Sequence, residues 1–344
     1  MVAVRSTLNS KMTELYPFRM TPAFDPRPWG TQDLSPIYPN QHFVEKIGES
    51  WLTGDHCRVA SGPLRGRSLA ELSAQYGADL VGDAANEPTR FPLLLKFLFP
   101  REKLSVQVHP DDHAARQIGE PCGKNECWYV AHAKPGAQVA LGLRAGVTKA
   151  QFERAIHDKH AEDLLNWVDV FAGDMIYVAG GTVHTLGPGA IIVETQQQSD
   201  TTFRLYDYGR PRELHLHQGF SVMKEQVGSG KVVRSQARAI GIDGSRSSEL
   251  VVSPYFVVEL FALKDPHQFE LAGERAKKSV QILVAIDGCG VIEADGIEPL
   301  AIAKGDAVVV PAIITGFRVR PQWTLEFLKS SLPVGNVPEP VTTL

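Results

Sequence analysis

The segment Gly173-Asp174-Met175-Ile176-Tyr177-Val178-Ala179 recurs in pattern as Gly305-Asp306-Ala307-Val308-Val309-Val310-Pro311. A glycine-aspartate pair followed by four apolar residues reads as a tight turn feeding a short buried strand. Glycine supplies the backbone conformations that such a turn needs. Two copies of the unit imply two similar barrels. Their boundary is expected between about residues 220 and 250, where Gly228-Ser229-Gly230 and Gly244-Ser245-Arg246 break the pattern. The 30 glycines and 23 prolines punctuate short apolar runs along the whole chain, as in an all-β sandwich or barrel.

Strands are therefore expected at 93–98, 105–108, 127–131, 174–178, 191–195 and 203–206, and again at 255–260, 280–286, 307–310 and 324–329. Helices intrude in two places. Ser68 with Glu71 and Thr148 with Gln151 have the spacing of capping boxes. Leu69, Leu72 and Tyr76 would share one face of the first helix. In the second, Phe152, Ala155 and Ile156, followed by Leu164, Leu165 and Val168, mark a helical insert at about 148–168. The expected architecture is mainly β: two jelly-roll barrels with a small helical insertion. The first domain would span 1–225 and the second 226–344.

One stretch carries chemistry. In Leu104-Ser105-Val106-Gln107-Val108-His109-Pro110-Asp111-Asp112, Gln107 and His109 lie two apart among β-branched residues. On a strand, such positions project from the same face, so an amide oxygen and an imidazole can converge. Glu126 adds a carboxylate, and His184 ends the glycine-framed turn after the first repeat. Two imidazoles with two oxygens suit Zn²⁺ best, with other divalent first-row metals as alternatives. In the second repeat, Ile313 replaces Gly181 and Gly316 replaces His184, so one metal per chain is expected. Asp111 and Asp112 are expected to cap a following turn of helix. His215-Leu216-His217 reads as a strand with a rival histidine pair.

Bulk properties narrow the function. The 344 residues are 43% apolar and 22% charged, ordinary for a globular protein of about two domains. A net charge of −4 argues against nucleic-acid and membrane surfaces. The run from Phe91 to Phe99 contains Pro92 and Lys96 and is too short to span a bilayer. The N-terminus carries charges and no apolar core of a signal peptide. Cys57, Cys122, Cys127 and Cys289 show no C-x-x-C spacing, so free thiols in a reducing cytoplasm are expected.

The spacing of Gly173, Gly181 and His184 resembles the second cupin motif, with Ala179 where proline is usual. Several further segments resemble the type I phosphomannose isomerase family in its short bacterial form. They are Pro28-Trp29-Gly30, Ile47-Gly48-Glu49-Ser50-Trp51, residues 104–112, Lys124-Asn125-Glu126, residues 173–187, and Glu194 through Arg204. The resemblance is dense from about 91 to 217 and rests beyond 220 on the repeat alone. It implies interconversion of mannose 6-phosphate and fructose 6-phosphate with one zinc ion. The family's metal ligands fall on Gln107, His109, Glu126 and His184, and its catalytic arginine on Arg204.

Aldose–ketose isomerisation moves a proton between C1 and C2 through an enediol(ate). Lys124 and Glu194 are the acid–base candidates. Arg204 is a candidate for stabilising the enediolate or gripping phosphate, with Arg210 and Ser105 as further substrate-binding candidates. Each has a bland alternative. Glu194 could be an ion-pair partner, Lys124 a solvated turn residue, and Arg204 a cation–π arginine beside Phe203 and Tyr206. Other functions compatible with the residues are a metal-dependent cupin oxygenase and a non-catalytic sugar-phosphate-binding bicupin. The expected partner is a hexose 6-phosphate, with the chain a monomer or weak homo-oligomer.

Overall fold

The structure, a computed structural model, describes residues 15–226, 228–233, 236–271 and 278–344. The N-terminal stretch read for a signal peptide falls mostly in residues 1–14, outside the described residues. Among the described residues, strands form antiparallel sheets of ten, eight and five members, so the chain is mainly β as expected. Apolar side chains alternate into several buried clusters. Trp128, Tyr177, Phe18, Phe97, Phe256 and Phe327 are among the largest fully buried residues.

The expected strands form with small shifts of their ends. Leu93–Leu98, Phe203–Tyr206 and Ala307–Val310 match residue for residue. Others extend: Glu126–Ala133, Ala190–Gln197 and the long Gly316–Ser331. Strands at Phe18–Thr21, Ala23–Thr31 and Ile47–Trp51 were not anticipated. The second of these carries two prolines and two charges, which break the apolar alternation that marks a strand. The glycine-aspartate echo is structural as well as sequential. Gly173 and Gly305 adopt φ of 90° and 89°. Asp174 and Asp306 each accept the backbone N–H three residues upstream, from Phe171 at 3.0 Å and Ala303 at 3.0 Å. The strands that follow, Met175–Val178 and Ala307–Val310, each pair with a longer antiparallel neighbour.

The two halves of the chain also exchange strands. Phe18–Thr21 pairs with Ala307–Val310. Conversely Gly230–Val232 pairs with Met175–Val178, and the C-terminal Thr342–Thr343 pairs with Gly230–Val232. Tyr38, from the first half, donates its hydroxyl to the Gly305 carbonyl at 2.9 Å.

Both capping boxes are present, at Ser68/Glu71 and Thr148/Gln151. Asp111 caps the helix Asp112–Gln117. Asp112 instead accepts from the Gly123 N–H at 2.8 Å and from Gln197 Nε2 at 2.9 Å. Two expectations need correction. The insert is helical only over Lys149–His157 and a short turn at Ala161–Leu164. Leu165 and Val168 lie on the strand Leu165–Asp169, paired to Gln138–Leu143. A three-residue apolar spacing followed by a β run reads the same on paper as a continued helix. His215 and His217 do not sit on a strand either. His215 precedes the helix Leu216–Val222 and takes the Arg204 backbone N–H on Nδ1 at 3.2 Å. Residues two apart on a helix point about 200° apart, so this pair cannot share a metal.

The echoed glycines offer a test. An alanine at 305 would place Cβ 2.5 Å from Tyr38 Cε1, whereas one at 173 meets nothing within 4 Å. Both must bear the strain of a side chain at positive φ, roughly 1–2 kcal/mol. Gly305→Ala should therefore lower the urea midpoint clearly more than Gly173→Ala. Equal losses would mean that Tyr38 moves aside freely.

Candidate active site

Strand register assembles the site. Gln107 sits directly opposite His184 on one neighbouring strand and opposite Arg204 on the other. Directly paired residues project from the same face of a sheet, so His184, Gln107 and Arg204 form one row. The facing sheet contributes a second row, because Glu194 pairs with Lys96 on one side and Trp128 on the other. Glu126 lies two residues from Trp128 and so shares its face. The rows meet across the barrel, where the Trp128 ring stands edge-on to His184 with centroids 5.4 Å apart.

The turn before His184 is held too close to its neighbours for larger residues. A Cβ on Gly180 would lie 2.6 Å from Asp111 Cα, and Gly181 donates its N–H to the His109 carbonyl at 2.7 Å. Ala179 donates its N–H to Ser229 Oγ at 2.9 Å, a bond that proline could not make. That contact gives the departure from the usual motif a local use.

His109, Glu126 and His184 present donor atoms that all lie within 4.8 Å of one another. All three are buried, and Glu126 Oε1 has no hydrogen-bond partner. His109 Nδ1 is 3.0 Å from the Thr201 carbonyl and His184 Nδ1 2.9 Å from the Thr182 carbonyl. Carbonyls only accept, so each Nδ1 carries the proton and each Nε2 presents a lone pair toward the shared point, met at His109 by Lys124 Nζ and at His184 by the Gln107 amide. Burial pushes both imidazole pKa values down, His184 to about 4 and His109 well below its ordinary range. Both rings are neutral near pH 7, the form that binds metal. Gln107 reaches the same point, its amide nitrogen 3.3 Å from His184 Nε2. A 180° turn of that amide presents its oxygen instead. The donor set therefore fits a divalent metal.

Lys124 is not a solvated turn residue. It is buried, with Nζ 2.5 Å from Glu126 Oε2 and 3.0 Å from His109 Nε2. Glu194 is both an ion-pair partner, 3.3 Å from Lys96 Nζ, and an acceptor of Trp128 Nε1–H at 3.0 Å. Burial, then the charge of Glu126, raises its pKa against the pull of Lys96. Arg204 Nη1 donates to the Glu213 carbonyl at 2.8 Å, while its buried Nε is unpartnered. Ser105 Oγ, buried, donates to Gln107 Oε1 at 3.3 Å. Ser105, Gln107, Lys124, Glu194 and Arg204 all line one cavity of about 500 Å³. Arg210 does not line it. Its guanidinium is 2.8 Å from Asp207 Oδ1, donates to the Lys103 carbonyl at 2.8 Å and stacks over Tyr208.

Five charged cavity residues were given no role in the sequence reading: Arg27, Glu49, Lys96, Asp200 and Arg212. Lys96 is 4% exposed, 3.5 Å from Glu49 and 4.8 Å above the Trp51 ring. Burial alone would raise the Glu49 carboxyl, yet Lys96 and Arg27 hold it down at about 2. The available signal was a lysine amid leucines in a central strand, since buried lysines are rare unless paired. In the apolar run 91–99 the same lysine reads on paper only as an interruption.

The second repeat shows the same positions with the charges exchanged. Glu126 pairs with Val178, and Gln281 pairs with the echoed Val310. By the same register, Lys329 stands where Glu194 does and Glu259 where Lys96 does. Lys329 Nζ contacts Glu259 and donates to Gln281 at 3.1 Å. The Lys329 ammonium group thus bridges two side chains of its own half, and Gly316 stands at the position that echoes His184.

The depressed Glu49 pKa sets an acid limit. A carboxyl lowered on folding stabilises the fold above its ordinary value of 4.5, and that stability is lost as pH falls toward about 2. Denaturant melts of Glu49→Gln should show lower stability at pH 7 and a shallower loss over that window. An acid limb as steep as in the unaltered chain would remove Glu49 as its source.

Comparison with known proteins agrees with the geometry. The family model for the type I phosphomannose isomerase catalytic domain matches residues 18–125. Mannose-6-phosphate isomerase of Streptococcus mutans is 33% identical over 84% of this chain and 90% of its own length. The ManA mannose-6-phosphate isomerase of Bacillus subtilis is 33% identical over 88% of this chain and 95% of its own. The crystal structure of mannose 6-phosphate isomerase from Bacillus subtilis superposes with a TM-score of 0.80 at 30% identity, covering 92% of this chain and 99% of that one. The chain is an enzyme with the cupin fold and belongs to the type I phosphomannose isomerase family.

Proposed function

We propose that the chain interconverts mannose 6-phosphate and fructose 6-phosphate, using one Zn²⁺ held by Gln107, His109, Glu126 and His184. The observation that carries this reading is that Gln107, in register with His184 and Arg204, lines one cavity together with Lys124, Glu194 and Arg204. Bound there, a divalent ion supplies Lewis acidity toward the sugar's oxygens.

The chain's own residues do the rest. Glu194, its pKa raised by burial, is the base that takes the carbon-bound proton and returns it to the neighbouring carbon. A carboxylate tuned upward accepts a proton near neutral pH more readily than an ordinary one. Trp128 and Lys96 fix its two oxygens so that the proton is received in one geometry. Lys124, already hydrogen-bonded in the site, moves the hydroxyl proton. Arg204 lies beside Gln107 and stabilises the negative oxygen of the enediolate, a charge greatest in the transition state. Ser105 orients Gln107 and borders the substrate.

The division into a catalytic domain, 1–225, and a barrel without metal ligands, 226–344, is part of the same proposal. It is supported by the charge-exchanged repeat. The four cysteines are free, which supports a reducing cytoplasmic setting. No helix among the described residues is long and apolar enough to cross a membrane.

Elemental analysis should find one zinc per chain, and His184→Ala should lose it while remaining folded. Two ions per chain would refute the assignment of the second half. Chelation should abolish isomerisation and leave the far-UV dichroism largely intact, since the cores do not depend on the site. Arg204→Ala should lower kcat by on the order of 10²–10³ with zinc content unchanged. A rise in KM alone would assign Arg204 to ground-state binding instead.

A further inference from the structure

Three successive N–H groups of the turn that leads to His184 are accepted by three different segments. Ala179 donates to Ser229 Oγ at 2.9 Å, Gly180 to Asn125 Oδ1 at 2.8 Å and Gly181 to the His109 carbonyl at 2.7 Å. His109 and Glu126, the neighbour of Asn125, are themselves metal donors. Ser229 is different. It is 3% exposed, carries no donor of the cluster and lies beyond residue 225.

The hydrogen-bond directions around Ser229 follow from which groups can donate. Thr182 Oγ1 lies 2.6 Å from the Ala179 carbonyl, which only accepts, so the threonine hydrogen goes there. Ser229 Oγ is 2.7 Å from Thr182 Oγ1. With the threonine hydrogen committed, the serine is the donor of that pair. The Ala179 N–H, the Ser229 hydroxyl and the Thr182 hydroxyl thus form a closed circuit that returns to the Ala179 carbonyl. The same Thr182, 1% exposed, offers its own carbonyl to His184 Nδ1 at 2.9 Å. The circuit therefore fixes the residue whose carbonyl sets the tautomer and direction of the imidazole.

Ser229 is itself held from both sides. The strand that follows it, Gly230–Val232, pairs with Met175–Val178 on one edge and Thr342–Thr343 on the other. A Cβ on Gly230 would lie 2.5 Å from the Thr343 carbonyl oxygen, and Val233 donates its N–H to the Val341 carbonyl at 3.0 Å. Withdrawing the serine from the turn would disturb both ladders.

We propose that Ser229 is a positioning residue of the metal centre, fixing the Ala179–Thr182 turn and, through the Thr182 carbonyl, the His184 imidazole. This rests on the metal reading above. Proline at 179 would stiffen the turn by fixing its own φ, but it has no N–H for the serine to accept. With alanine there, the restraint comes from Ser229 instead. The metal centre is then complete only with a side chain from outside residues 1–225.

The test is zinc affinity, measured by competition with a chromophoric chelator on protein stripped and reloaded. Ser229→Ala should raise the zinc dissociation constant by on the order of 10-fold or more. It should also alter the visible absorption of the Co²⁺-substituted protein, because those bands report ligand geometry. Ser229→Thr keeps the hydroxyl and should recover most of the affinity. In an Ala179→Pro background, Ser229→Ala should cost less than in the unaltered chain, because one of its two bonds is already gone. Unchanged zinc affinity and cobalt spectrum in Ser229→Ala, with only a lower urea midpoint of the metal-free protein, would make the serine merely structural and overturn the proposal. Fully additive losses in the double variant would overturn it as well. If Ser229→Ala does not fold, Thr182→Val decides, since it opens the same circuit: an unchanged dissociation constant overturns the proposal. An unaltered chain that holds no zinc would instead overturn the metal reading on which the proposal rests.

Discussion

The antiparallel register that sets Gln107 between His184 and Arg204 is the constraint on which the site depends. Side chains alternate faces along a strand, so a one-residue slip of any of these three strands would turn its own member out of the row. The tight packing of Gly180 against Asp111 and the Gly181 bond to His109 pin one neighbour of that register. On the other side, the register shifts between Arg204 and Tyr206. Arg204 is the last position at which the simple pairing with the Gln107 strand holds.

Electrostatics explains why the site tolerates so many buried charges. Glu49, Lys96 and Glu194 form a run of alternating sign with contacts of 3.5 and 3.3 Å, and Lys124 with Glu126 forms a buried pair at 2.5 Å. Removing one member would leave a buried charge unpaired, which costs far more than an exposed ion pair contributes. The same arrangement separates the titration of its carboxyls. Glu49, between two cations, is pulled down to about 2, and Glu194, beside Glu126, is raised. Two carboxyls that share Lys96 are thus pushed in opposite directions.

The second half carries the same strand pattern around a different charge cluster. Lys329 on Glu259 and Gln281 is a self-contained cluster, and the aromatic stack of Phe261 with Phe327 packs beside it. Through Tyr38 on Gly305 and Phe18–Thr21 on Ala307–Val310, this half is tied to the N-terminal segment that also carries Arg27 and Glu49.

Much of this was legible in the chain itself. Period-two alternation and glycine punctuation determined the β class and most strands, because burial of one sheet face leaves a local imprint. Gln107, His109, Glu126 and His184 were recognisable because two-residue spacing and a glycine-framed turn fix side-chain direction without reference to distant residues. The family resemblance marked Arg204, Lys124 and Glu194, but not which partners they would meet. Only the tertiary structure decided that Lys96, Glu49 and Arg27 complete the cavity, that Arg212 faces it while Arg210 turns inward, and that the histidines at 215 and 217 lie at a helix start. Those outcomes depend on non-local pairing: which strand lies beside which, and which buried carboxylate claims which cation. A local pattern of residues carries no record of either.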